Sequence, residues 1–233
     1  MRRFLVPAVL VAVTLSLGAS PAGATNECRG LQVCVRVAGP WIVVPASLGT
    51  PRQRVDYQLS CPRGYAVGGL DAQLTDRAVD VEFAGKLGSP VSPGVTTARS
   101  ALFTATYTGS SPRGPTFRPH LGCIPSAGGG PGPVPFKVPA AFPPGEPTIR
   151  RVRNVGVRPG SRSVVAACAS GERLISGWHA IGFVAATPPS AAQVRSVVAS
   201  RTLRAGRVEA RVRAGVGAGN AVIQVGAVCG GGS

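Results

Sequence analysis

Residues 207–214, RVEARVRA, alternate strictly. Val208, Ala210, Val212 and Ala214 fall on one side, and Arg207, Glu209, Arg211 and Arg213 on the other. A period of two is the mark of a strand with one face buried. Residues 101–108 read the same way in their second part, with Phe103, Ala105 and Tyr107 opposed to Thr104, Thr106 and Thr108. Further short runs of apolar and β-branched residues predict strands at 31–37, 41–44, 54–60, 78–83, 117–124, 164–169 and 221–228. Ala205-Gly206 predicts a hairpin turn. One short helix is expected over residues 190–193, where Ser190 and Gln193 fit a capping box after Pro188-Pro189. Many short strands in a chain rich in Gly and Pro and poor in aromatics point to an all-β protein.

The pattern is duplicated. YQLSCPRGYAVGGLDA (57–72) is echoed by VVAACASGERLISGWHA (164–180), each with an apolar run, a cysteine, and a glycine three residues on. Gly69 in the first copy then matches Gly177 in the second, with the second copy one residue longer. The closing cysteines match as well: Cys123 follows Cys61 by 62 residues, and Cys229 follows Cys168 by 61. Six cysteines allow many pairings, and the repeat selects Cys61–Cys123 and Cys168–Cys229, leaving Cys28–Cys34 as a local loop. Closing a loop of this length contributes about 4 kcal/mol in the chain-entropy account. The expected fold is therefore all-β: two tandem disulfide-closed modules of β-sandwich or β-prism-like form. Module one spans 25–124 and includes the Cys28/Cys34 segment. A Pro/Gly-rich linker spans 125–147, module two 148–230, and a disordered tail 231–233. The glycines of GYAVGGL match neither a Walker loop nor a dinucleotide loop. They read as structural, Gly64 turning the chain after the strand of Cys61, and Gly68 and Gly69 permitting a bend or close packing.

The start of the chain changes how the cysteines are read. Arg2 and Arg3 precede an apolar run to about Leu17, and small residues end at Ala22-Gly23-Ala24. This is the form of a secretory signal peptide over residues 1–24, and the apolar run is shorter than the ~20 residues of a membrane-spanning helix. An exported chain with six cysteines is expected to carry disulfides rather than zinc, whose sites cluster Cys and His ligands. The Cys61-x-x-Gly64 turn, Gly68-Gly69 and the closing Cys123 resemble modules of uncharacterised secreted proteins of high-GC Gram-positive bacteria, as does NECRGLQVCVRVAGPWIVVP near residue 26. That resemblance implies export and a β-rich fold, and it supplies no active site. The Cys-Pro-x-Gly turn is also similar to that of vitelline membrane outer layer proteins.

Charge singles out module two. The chain carries a net charge of +16, with 11 basic and 7 acidic residues in 25–147 and 12 basic and 2 acidic in 148–233. Arg150, Arg151 and Arg153 gather with Arg158 and Arg162 at the start of module two; Arg201, Arg204, Arg207, Arg211 and Arg213 gather around one hairpin. Such a basic surface suits an acidic polymer: a wall phosphate polymer, an acidic polysaccharide or extracellular nucleic acid. Aromatic platforms for stacking bases are not interleaved with these arginines, so sequence-specific nucleic-acid recognition is not expected. His120 and His179 are the only histidines and are not equivalent in the repeat, and no Gly-x-Ser-x-Gly elbow occurs. Asp71, Asp76, Asp80 and Glu82 read as a solvated face rather than a calcium loop or glycosidase pair. Trp41, Trp178, Tyr57, Tyr65 and Tyr107 would serve a carbohydrate-binding module only if exposed. The reading is an exported, envelope-associated binding or structural protein, without catalytic residues, metal or cofactor and without a transmembrane anchor. A secreted hydrolase and a carbohydrate-binding module are the alternatives.

Overall fold

The computed structural model describes residues 25–46, 51–84, 99–110, 114–126 and 148–231. The first copy opens with β1 (Val35–Ala38) and β2 (Trp41–Val43), followed by β3 (Arg54–Ser60), β4 (Tyr65–Leu74), β5 (Val79–Ala84), β6 (Ser100–Tyr107) and β7 (Thr116–Pro125). The second runs through β8 (Ile149–Gly156), β9 (Gly160–Ala167), β10 (Arg173–Phe183), β11 (Val197–Arg204), β12 (Arg207–Ala214) and β13 (Ala221–Gly230), with α1 (Ala191–Arg195) between β10 and β11. Ser190 and Gln193 close the expected capping box at the start of α1.

The two copies share a strand plan, with β1 and β2 together taking the place that β8 holds in the second copy. β7 lies between β4 on one side and β1 with β2 on the other; β13 lies between β10 and β8. A second layer of three antiparallel strands belongs to each copy, β3-β6-β5 in the first and β11-β12-β9 in the second. Each copy is thus a small sandwich. Cys61, just past β3, bonds Cys123 in β7, and Cys168, just past β9, bonds Cys229 in β13, so each disulfide ties the two layers of its own copy. These are the pairs that the repeat spacing selects, and Cys28–Cys34 closes the local loop. The first core is aromatic, built on Tyr57, Phe103, Tyr107 and Phe117. The second is built mainly of Val and Ala from β9, β12 and β13.

A bulge sits at the same place in both copies, one residue beyond the partner of the closing cysteine. It falls between Val67 and Gly69 in β4, and between Leu174 and Ser176 in β10. The register therefore matches Gly69 to Ser176, not to Gly177, which corrects the alignment read from the sequence. Gly68-Gly69 lie inside a ten-residue strand. The requirement for glycine comes from the N-terminal segment, which crosses this sheet: a Cβ on Gly69 or Gly122 would run into the carbonyl of Glu27.

The sandwiches are not separate beads. β2 pairs with β7 through Ile42–Phe117 and with β10 through Ile42–Gly182 and Trp41–Phe183. The two main layers thereby fuse into one seven-stranded sheet. A second clamp crosses the junction. The fully buried Gln224 of β13 accepts from the backbone N–H of Gln58 in β3 at 2.7 Å and donates to its carbonyl at 2.9 Å. It also accepts from the Trp178 indole at 3.2 Å and donates to Asn154 at 2.8 Å. The amide thus acts as a single residue of a neighbouring strand, pairing the free edge of β3.

Several strands differ from the sequence expectation. The strand expected from residue 31 begins at Val35, because the Cys28–Cys34 loop holds the preceding residues in turns. The strand expected at 164–169 begins earlier, at Gly160. β4, β8, β10 and β11 were not expected as strands. The expected signal peptide and most of the expected linker lie outside the described residues. Pro125, its expected first residue, ends β7. Among the described residues no helix is long and apolar enough to cross a membrane.

Candidate functional site

The outer face of the β11-β12-β9 layer gathers the basic residues of the second copy. Directly opposed residues of an antiparallel ladder point to the same side, so the register reads as rows. Arg204, Arg207 and Ala167 form the first row; Thr202, Glu209 and Val165 the second; Ser200, Arg211 and Ser163 the third; Val198, Arg213 and Ser161 the fourth. The inward set, Val208, Ala210, Val212 and Ala214, is buried, as the alternation of 207–214 requires. Four arginines therefore share one exposed surface with a single acid. Glu209 stands 3.6 Å from Arg211 and 4.0 Å from Arg204, and it accepts a 3.3 Å hydrogen bond from Ser163. Ser161, Ser163, Ser200, Arg162, Arg211 and Arg213 line a shallow depression of about 610 Å³. Guanidinium groups beside hydroxyls can offer several hydrogen-bond donors to one oxyanion.

The other expected arginines lie elsewhere. Arg201 belongs to the opposite side of β11, across from Ala210, and donates to the carbonyl of Gly177 on β10. Arg150, Arg151 and Arg153 lie on β8, in the other layer. Arg150 is half-buried, and burial lowers its pKa, opposed by the charge of Asp56. Arg151 forms a two-point bond to Glu172 at 2.8 and 2.5 Å. Arg151, together with the backbone N–H of Ala169, holds the Glu172 carboxyl at about 2. Arg153 is exposed and reaches the Val165 carbonyl at 3.5 Å. Of the eight, Arg204, Arg207, Arg211 and Arg213 come together.

The histidines stand in different settings. His120 is buried on β7, with its Nε2 3.2 Å from Gln73 and its Nδ1 4.0 Å from the buried carboxylate of Glu27. Burial lowers its pKa more than Glu27 raises it. Burial likewise lowers that of His179, reinforced by Arg201. Both rings are held toward the neutral form. The one group of metal-ligand type among the described residues is Cys168, Glu172 and Cys229, in which the two sulfurs are bonded to each other and the carboxylate is engaged by Arg151. Trp41, Trp178, Tyr57 and Tyr107 are buried and Tyr65 is half-buried; burial pushes Tyr57 up to about 12. Asp80 and Glu82 share the exposed face of β5. Asp71 instead accepts from the backbone N–H of Asn26, helping to fasten the N-terminal segment.

Sequence reasoning missed the serines, Glu27 and Gln224. The serines carried a signal, since GSRSVV alternates Ser161 and Ser163 with Arg162 just ahead of a strand core. Glu27 and Gln224 carried none, because each is buried by a segment distant in sequence. The chain matches no protein-family model, no curated protein and no solved structure.

Proposed function

We propose that this is an exported, envelope-associated binding protein without catalytic activity, whose second copy contacts acidic polymers through the outer face of β11-β12-β9. The observation that carries the reading is the convergence of Arg204, Arg207, Arg211 and Arg213 on one exposed surface with Glu209 as the only acid among its rows. The Ser161 and Ser200 hydroxyls in the same rows add donors. Export is supported by the leader-like start and by six cysteines joined in three disulfides. A carbohydrate-binding role gains nothing from the aromatics, which are taken up by the cores and the junction.

Retention on an immobilised polyanion tests the reading. The protein is expected to elute well above the salt that releases neutral proteins, with a strong dependence on salt from released counterions. Replacing Arg204, Arg207, Arg211 and Arg213 together by Gln should move elution to markedly lower salt. Unchanged elution of that variant, or elution of the parent with neutral proteins, overturns the proposal.

A further inference from the structure

We infer that the ligand of this surface is a linear phosphate polymer, and that it runs off the outer face over the edge of β9 along a second group of arginines. The inference rests on the polyanion reading above and names the polymer and its path. The depression on the outer face adjoins another, of about 700 Å³, at the end of the second sandwich. Arg162 lines both. The second is also lined by Arg158, in the β8–β9 turn, and by Asn220. β9 is the outermost strand of its layer, joined only to β12, so its far side offers an open shoulder between the two depressions.

Three of the four charges along this path make no ion pair, and Arg211 stands 3.6 Å from Glu209. Arg211, Arg213, Arg162 and Arg158 line the two depressions, and no acidic residue lines either. Arg158, Arg162 and Arg213 make no ion pair among the described residues and are exposed. Arg211 and Arg213 are about 7 Å apart along β12, and β9 lies about 5 Å across from it. A single small oxyanion reaches one or two of these groups at that spacing. A chain with a charge every few ångströms reaches all four, which the shared residue Arg162 makes continuous.

The chemistry of the lining selects the class. Ser161 and Ser200 place hydroxyls beside guanidinium groups, so a phosphate can take a charged donor on one oxygen and a hydroxyl on another. No aromatic residue lines either depression. Sugar rings and bases therefore find no stacking surface, and what is recognised is the repeating charge of the backbone.

Binding of long-chain inorganic polyphosphate, tripolyphosphate and hyaluronan to the full mature chain tests this, read by calorimetry at moderate salt. Long-chain polyphosphate is expected to bind best. An R158Q/R162Q variant should lose about tenfold in affinity for it and show a shallower salt dependence, with tripolyphosphate binding unchanged. An R211Q/R213Q variant should weaken both phosphate ligands. All four altered positions are exposed charges, and an unchanged thermal midpoint confirms an intact fold. If long-chain polyphosphate binds but R158Q/R162Q leaves it untouched, the path over β9 is wrong while the polyanion reading stands. Equal binding of hyaluronan overturns the phosphate assignment alone. Failure of every polyanion to bind overturns both proposals.

Discussion

Gln224 shows what one residue can decide. It is fully buried, yet all four of its amide hydrogen-bonding positions are used: two by the backbone of Gln58, one by Trp178 and one by Asn154. A buried polar group is tolerable only when satisfied in this way. Gln224→Leu keeps the volume and removes the partner of several buried groups at once. It is expected to cost about 3 kcal/mol, read as a lower urea midpoint, and a loss well below 1 kcal/mol would contradict the clamp. The residue-level legibility of the sequence follows the same division. Arg207, Arg211 and Arg213 were legible because strict alternation reports which side of a strand meets water. Gln224 and Glu27 were not, because a polar residue within an apolar run gives no sign of a partner 166 residues away or of a segment folded across it.

Elements show why some strands were easy to read and others were hidden. β6 and β12 are buried on one face only, so their side chains alternate. β4 has the aromatic core on one side and the N-terminal segment on the other, and half-buried positions run along most of its length. β11 is exposed on both sides beyond Ala199. In both cases the contrast between faces is lost, and with it the period of two. Two free edges are covered by side chains rather than strands: Gln224 pairs β3, and Arg201 caps the Gly177 carbonyl of β10. The Arg151–Glu172 pair similarly joins β8 to the β9–β10 turn. Its folded carboxyl titrates at about 2, below its ordinary 4.5. The stabilisation is therefore complete above pH 4.5 and is lost as pH falls toward 2. Glu172→Gln should flatten the pH dependence of unfolding in that window, and an unchanged slope would show that other carboxylates dominate acid unfolding.

At the scale of the molecule, the two copies present equivalent outer faces of opposite sign. On the β3-β6-β5 layer, Asp56, Asp80 and Glu82 share the face with Arg54, Thr104 and Thr106. On β11-β12-β9, four arginines share it with Glu209. A polyanion meeting this molecule is drawn to one copy and repelled by the other, so its approach is oriented before contact. The fused sheet joins the second copy to the first. Separate β modules on a linker would unfold independently, but here β2 pairs into both copies and Gln224 spans them. Both tryptophans lie at the junction: Trp41 opposite Phe183, and Trp178 bonded to Gln224. Their fluorescence therefore reports the junction, while far-UV circular dichroism reports the strands of both copies. In urea the two signals are expected to change together in one transition, as a two-state unit requires. A tryptophan change that precedes loss of the β signal would mean that the copies part before they unfold, and would refute the coupling. Bound long-chain polyphosphate should shift both signals equally to higher urea, because a ligand held by the second copy stabilises everything that unfolds with it.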